Sequence, residues 1–282
     1  MDDNTAMNDK AEQADRPGQT GQTGQSNQPA KAGKTGKIGK TRHYADERID
    51  VSYDATRCIH AAVCVRRLPA VFDTARRPWI LPSGGDADAI VAVVARCPTG
   101  ALHTTRLDSG PAEEASAENT IVPMPNGPLY VRGQLQVRSP EIDLTVDDVR
   151  VALCRCGQSR NKPFCDNSHH DAGFSDPGAL AGVTAGGDST TAVAADDRQD
   201  TPTPTPLSIV ASTNGPLSIE GAVTLRTRDG SLRHYALKTT LCRCGASNRK
   251  PFCDGSHRRI GFISAPQIDT PQVDEAQPRS DA

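Results

Sequence analysis

The sequence predicts several small α+β modules joined by unstructured segments, not one large domain. Three observations point there. The strong core formers Leu, Ile, Val and Phe make up 50 of 282 residues, about 18%. That lies just under the ~20% level below which a chain tends to stay unfolded over much of its length. The net charge is only −2, so the whole chain is not a self-repelling polyelectrolyte. All nine cysteines fall into three clusters of three, at 58–97, 154–165 and 242–253. Ordered modules around each cluster, with polar chain between them, reconcile the three.

Composition also excludes function classes. A balance of 32 basic and 34 acidic residues gives no reason to expect nucleic acid as a partner. No apolar run approaches the ~18 residues of a membrane span. The opening MDDNTAMNDK has no signal-peptide core. The expectation is a cytoplasmic chain with no membrane association. In that reducing compartment cysteines are metal ligands more often than disulfides. No Ser-His-Asp set, carboxylate pair or nucleotide fingerprint lies near a cysteine cluster, so no enzyme active site is expected.

Along the chain, residues 1–43 hold the low-complexity runs GQTGQTGQ and GKTGKIGK and read as a disordered tail. Neither GKT triplet is a phosphate loop, because Gln28 and Lys34 stand where its first Gly is required. Residues 44–106 form a first block with Cys58, Cys64 and Cys97. Within it DAIVAVVA (88–95) reads as a helix starting at Asp86/Asp88, and Phe72 and Trp79 read as core packing. Residues 107–120 read as a linker. Residues 121–175 form a second block with Cys154, Cys156 and Cys165. A second linker, 176–206, ends in TPTPTP, where alternating Pro stiffens the chain. Residues 207–264 form a third block with Cys242, Cys244 and Cys253, and 265–282 are a polar tail.

Blocks two and three are an internal repeat. Asn126-Gly127-Pro128-Leu129 recurs as Asn214-Gly215-Pro216-Leu217, an offset of 88 residues that also relates Cys154, Cys156, Cys165, His169 and Phe174 to Cys242, Cys244, Cys253, His257 and Phe262. A constant offset over so many landmarks marks duplication of one unit. Each unit opens on strands of period two: Leu129, Val131, Leu135, Val137 around Gly133, and Leu217, Ile219, Val223, Leu225 around Gly221. The matching glycines predict a bulge or a close backbone approach.

Each unit then enters a loop of pattern C-x-C-x8-C-x3-H, residues 154–169 and 242–257. Two Cys one residue apart can reach one small inorganic centre. The last Cys and the His, four apart, share a face if a helical turn begins there, with Asp166 or Asp254 capping it. His170 adjoins His169 but corresponds to Arg258, and stands as an alternative ligand or a surface residue. Three thiols and an imidazole suit zinc or an iron–sulfur cluster, and spacing alone favours zinc.

Both loops resemble the CDGSH iron–sulfur domain: C-x-C, a Ser three residues after the second Cys (Ser159, Ser247), then Pro-Phe-Cys-Asp-Gly-Ser-His. The second copy matches throughout; the first has Asn167 at the Gly position. The resemblance implies one [2Fe-2S] cluster on Cys154, Cys156, Cys165, His169 and another on Cys242, Cys244, Cys253, His257. It also implies two small β-rich domains that pair within the chain as a pseudo-dimer. Lys162, Lys250, Arg155 and Arg243 would place positive charge near the clusters or guide an acidic partner, with solvated surface as the alternative.

The first block, with Cys58 and Cys64 flanking Ala61 and Cys97-Pro98-Thr99-Gly100-Ala101 at its end, is similar to divergent single-cluster ferredoxins. This resemblance implies a ferredoxin-like βα domain with a [3Fe-4S] cluster on Cys58, Cys64 and Cys97. The competitor is a [4Fe-4S] cluster with a non-Cys fourth ligand such as His60 or solvent. The function implied is electron transfer or redox sensing with a redox partner protein. Donation of a [2Fe-2S] cluster to apo-proteins is the alternative, and a structural zinc module a more distant one.

Overall fold

A computed structural model describes residues 41–183 and 205–265. The expected tails and the TPTP run fall almost wholly outside these residues.

Strands β1 (Arg42–Ala45), β2 (Ile49–Tyr53) and β3 (Leu102–Arg106) form an antiparallel sheet in that order. Between β2 and β3 lie the short helix α1 (Val63–Arg67) and helix α2 (Ala87–Val94). Asp86 caps α2, accepting N–H bonds from Asp88 at 2.9 Å and Ala89 at 3.2 Å. Ile90 and Val94, one turn apart, face the sheet and pack with Ile49, Val51, Val71, Phe72, Ile80 and Leu102. The helix expected at 88–95 is present, and Phe72 is in this core. Trp79 packs edge-on to Tyr53 at 4.9 Å between ring centroids.

The two repeats build one six-stranded sheet. Repeat one supplies β4 (Thr120–Pro123), β5 (Leu129–Ser139) and β6 (Leu144–Leu153). Repeat two supplies β7 (Leu207–Ala211), β8 (Leu217–Arg226) and β9 (Arg233–Leu241). β5–β6 and β8–β9 are antiparallel hairpins, each with a register break, between Arg132 and Leu135 and between Glu220 and Val223. Gly133 and Gly221 sit in those breaks at φ 140° and 119°, so the bulges expected at both positions are present. The short first strand of each repeat pairs with both hairpins. β4 runs antiparallel to its own β5 and parallel to β8; β7 runs antiparallel to its own β8 and parallel to β5. The alternating apolar residues of both repeats thereby close on one shared core that includes Leu129, Val131, Val137, Leu153, Ile209, Ile219, Val223 and Leu241.

Two expected linkers differ from expectation where they are described. Asn119 fills the space over Gly133: its Oδ1 accepts the Gln134 N–H at 3.0 Å and its Nδ2 donates to Thr205 O and Ala222 O, both at 3.0 Å. Leu180 is buried in the shared core. A polar composition hid both, because a few scattered anchoring side chains leave no periodic signal.

Candidate metal centres

In each repeat the last hairpin strand runs directly into the Cys-rich loop. The loop folds back on that strand: Cys154 N–H donates to Pro163 O and Cys165 N–H to Ala152 O, each at 2.9 Å. Cys242 and Cys253 repeat this with Pro251 O and Thr240 O. The Ser159 hydroxyl donates to Phe164 O at 2.7 Å and accepts Asn161 N–H at 3.0 Å; Ser247 does the same with Phe252 and Arg249. Asp166 accepts the N–H of Ser168 and Asp254 that of Ser256, both at 3.0 Å. They brace the single turns α3 (Ser168–Asp171) and α4 (Ser256–Arg259), as the spacing led one to expect. Asn167 and Gly255 enter those turns in the left-handed region, φ 75° and 84°.

The loops bring the donors together in pairs. Cys154 Sγ and Cys156 Sγ are 3.7 Å apart, and Cys165 Sγ and His169 Nδ1 3.5 Å. In repeat two the distances are 3.8 Å and 3.5 Å. All nine cysteines are free thiols. Among the described residues no three His, Cys, Asp or Glu side chains converge on a single ion-sized point. The donors of each loop are thus two close pairs instead of one set of four.

The electrostatics within each pair are unequal. The hydrogen bond from Cys156, helped by the backbone N–H groups of Ser159, Gly157 and Cys156, holds Cys154 below the ordinary thiol range and pushes Cys156 up. Cys242 and Cys244 behave alike. Burial pushes Cys165 up to about 12. Burial, with His170 beside it, holds the His169 imidazole below its usual value.

The two loops also meet each other. Cys156 and Cys244 form a backbone bridge. A Cβ on Gly157 would lie 2.7 Å from Cys244 O, and one on Gly245 2.6 Å from Cys156 O. Both glycines are left-handed at φ 83°, so the crossing requires Gly on both sides.

In the N-terminal module Cys58, Cys64 and Cys97 line one small cavity together with Tyr53, Ala61, Trp79 and Pro98. The backbone N–H of Thr99, the Thr99 hydroxyl and the Leu102 N–H overcome burial and hold Cys97 below the ordinary thiol range, while burial raises Cys64. His60 is exposed and lies outside that cavity. Its backbone is left-handed, φ 53°, and it lines an adjoining outer cleft together with Cys58 and Cys64, so it shares a wall with two of the three thiols. His170 is likewise exposed, its ring tilted against that of His169 with centroids 4.2 Å apart.

Arg155 and Arg243 correct the expectation of charge offered to a partner, and the solvated alternative too. Both are 1% exposed. Arg155 Nε donates to Gly127 O at 2.7 Å, and its guanidinium pairs with Asp176 and lies over the Phe174 ring. Arg243 donates to Gly215 O at 3.0 Å and lies over Phe262. These arginines tie the Asn-Gly-Pro-Leu turn to the Phe, which explains why those landmarks repeat with the cysteines. Lys162 and Lys250 fold back onto Ser159 O and Ser247 O, each at 2.6 Å.

Sequence reasoning missed a buried charge network beside the first centre. Asp148 accepts from Arg57 at 2.6 Å and lies 3.5 Å from His103, whose other ring nitrogen meets Glu113 at 2.8 Å; Glu113 also pairs with Arg150. These residues come from three segments, so no spacing in the chain announces them.

Comparison with known proteins assigns a family to each of the three blocks. Residues 44–107 match the family model described as a divergent 4Fe-4S mono-cluster, and residues 126–170 and 214–258 each match the iron-binding zinc finger of CDGSH type. The uncharacterized protein YjdI of Escherichia coli K12 is 41% identical over 61 residues, which are 22% of this chain and 80% of YjdI. YjdI of Escherichia coli O157:H7 matches to the same extent. The chain therefore belongs to the family of YjdI, and it carries a divergent 4Fe-4S mono-cluster domain followed by two CDGSH domains.

Proposed function

We propose that this protein is an iron–sulfur electron carrier or redox sensor with three centres. Cys154, Cys156, Cys165 and His169 would hold one [2Fe-2S] cluster, and Cys242, Cys244, Cys253 and His257 a second. Cys58, Cys64 and Cys97, in a ferredoxin-like module, would hold a [4Fe-4S] or [3Fe-4S] cluster. The paired donors support the dinuclear reading: one pair per iron suits a two-iron cluster, whereas a zinc ion needs four mutually adjacent donors. The parallel pairings of β4 with β8 and β7 with β5 support reading the repeats as an internal pseudo-dimer.

Contact between the centres carries the electron-transfer reading. The Cys156 and Cys244 backbones meet, and Ile59, next to Cys58, packs on Cys165. When bound, the clusters would supply one-electron chemistry. The chain's part is to hold them close, to screen them from water, and to aim backbone N–H groups at the sulfurs, which favours the reduced form. A neutral imidazole in place of one thiolate raises the potential further and couples reduction to proton uptake. We further propose a separate redox partner protein, no substrate chemistry of its own and a cytosolic setting. Among the described residues no helix is long and apolar enough to cross a membrane.

Cluster donation is the second reading. It is favoured by the second repeat, where Cys253 and His257 are part-exposed while Cys165 and His169 are buried. His257→Cys separates the two. An electron carrier shifts its potential and keeps its turnover with a redox partner; a donor keeps its redox titration and loses transfer to an apo-protein. A colourless preparation with stoichiometric zinc and no acid-labile sulfide would overturn both.

A further inference from the structure

The two Cys-rich loops differ at only four of sixteen positions: Gln158/Ala246, Arg160/Asn248, Asn161/Arg249 and Asn167/Gly255. Two of the four face the N-terminal module. Asn161 Nδ2 donates to Thr56 O and Asn167 Nδ2 to Ile59 O, both at 2.7 Å. The acceptors flank Cys58. Ile59 itself packs on Cys165 and Ala152, and Arg57 lies over the Phe164 ring at 4.8 Å. Among the described residues no hydrogen bond joins the N-terminal module to the second loop.

We propose that Asn161 and Asn167 are docking residues, and that they seat the Cys58 loop on the first CDGSH loop so that the N-terminal centre exchanges electrons with repeat one and not with repeat two. Asn167 occupies a left-handed backbone position, φ 75°, which Gly holds with less strain. A duplicated loop that departs from Gly there, and uses the added amide to grip another module, has exchanged local ease for an interface. Gly100 has the reciprocal role. It too is left-handed, φ 66°, and a Cβ there would collide with Arg150 O and lie 2.7 Å from Arg57 Nη2. Each module therefore carries a residue shaped for the other.

The spacing suits exchange. Ile59 follows Cys58 and shares one buried cluster with Cys165, so chain reach and contact distance keep the two ligand sulfurs within roughly 15 Å of each other. The step is a one-electron exchange: one centre is oxidised as its neighbour is reduced, and no bond is made or broken. This inference rests on the three-centre reading above, and the test keeps the two apart.

The experiment compares the full-length protein with Asn167→Gly, Asn161→Arg and the double variant, each taking the residue of repeat two. Gly255→Asn is the control. Iron, sulfide and visible absorbance report loading. Hydrogen exchange of the Cys58 amide, which donates to Ala55 O within the docked loop, reports docking in loaded and metal-free protein alike. Paramagnetic relaxation of the reduced first CDGSH signal reports proximity to the N-terminal centre. The double variant should load fully, exchange about tenfold faster at the Cys58 amide, as expected for a loop that loses two anchoring hydrogen bonds, and relax more slowly; Gly255→Asn should change none of these. Unchanged exchange in the double variant, or an equal effect from Gly255→Asn, overturns the proposal. If the double variant loads poorly, exchange in metal-free variant against metal-free wild type decides. Failure of the wild type to load sinks the three-centre reading and leaves the exchange comparison to judge docking.

Discussion

Asp148→Asn would remove the one carboxylate that faces both Arg57 and His103. Arg57 and Asp148 side chains are 9% and 3% exposed and 2.6 Å apart. Removing one partner of a buried pair leaves the other charge uncompensated and costs ~3–5 kcal/mol. Asn keeps an acceptor, so the lower end applies, about 3 kcal/mol. In a folded body of this size each kcal/mol moves the melting temperature by roughly 2–4 °C, so the expected loss is roughly 6–12 °C. The pH dependence supplies a second arm. Burial pulls the His103 pKa down, but the hydrogen bonds to Asp148 and Glu113 outweigh it and raise it from 6.5 to about 9. A raised folded pKa means the stabilisation is complete below pH 6.5 and is lost as pH climbs through about 9. The full shift corresponds to about 3 kcal/mol. With the side chain 30% exposed, solvent screening reduces that to about 2 kcal/mol. Thermal unfolding by circular dichroism from pH 6 to 10 measures both arms, with His103→Gln as background for other groups. Asp148→Asn should be less stable at pH 7 and should lose its His103-dependent slope at lower pH. A loss under about 1 kcal/mol at pH 7, or a wild-type profile that matches His103→Gln throughout, would refute the reasoning.

Gly245→Ala should cost about 2–3 kcal/mol, from left-handed strain and a Cβ driven at the Cys156 carbonyl; a melting temperature within a degree of wild type would show that the loops do not cross there. Asp176→Asn should cost about 3 kcal/mol, because Arg155 is buried against that carboxylate. Ser264→Ala, at the equivalent place in repeat two, should cost only about 1 kcal/mol. Equal losses in urea unfolding would contradict the difference between the repeats. In metal-free protein one thiol of each Cys-x-Cys pair, Cys154 and Cys242, should ionise below the free-cysteine value of ~8.5. Thiolate ultraviolet absorbance followed against pH checks this, and a single step above that value would count against the thiol-to-thiol bond.

The duplication was fully legible in the chain, because a constant offset of 88 residues is a one-dimensional signal. So were the strands around Gly133 and Gly221, where side-chain alternation writes burial directly into the order of residues, and the start of α2, where Asp86 caps its own helix. The Cys-rich loops were legible because their Cys and His residues are close in sequence, and Cys165 with His169 shows that spacing becoming a 3.5 Å contact. The three thiols of the N-terminal module could be grouped by motif, whereas the outward turn of His60 depends on backbone conformation.

Local order thus determined which side chains could gather within each loop. Only tertiary structure decided how the three loops meet: Arg57 and Asp148 are separated by 91 residues, Asn167 and Ile59 by 108. It also made Arg155 and Arg243 interior braces, although as isolated letters they read as surface charge. Contacts between distant segments arise from burial and hydrogen-bond satisfaction across a folded interface, and those requirements have no period or spacing along the chain to reveal them.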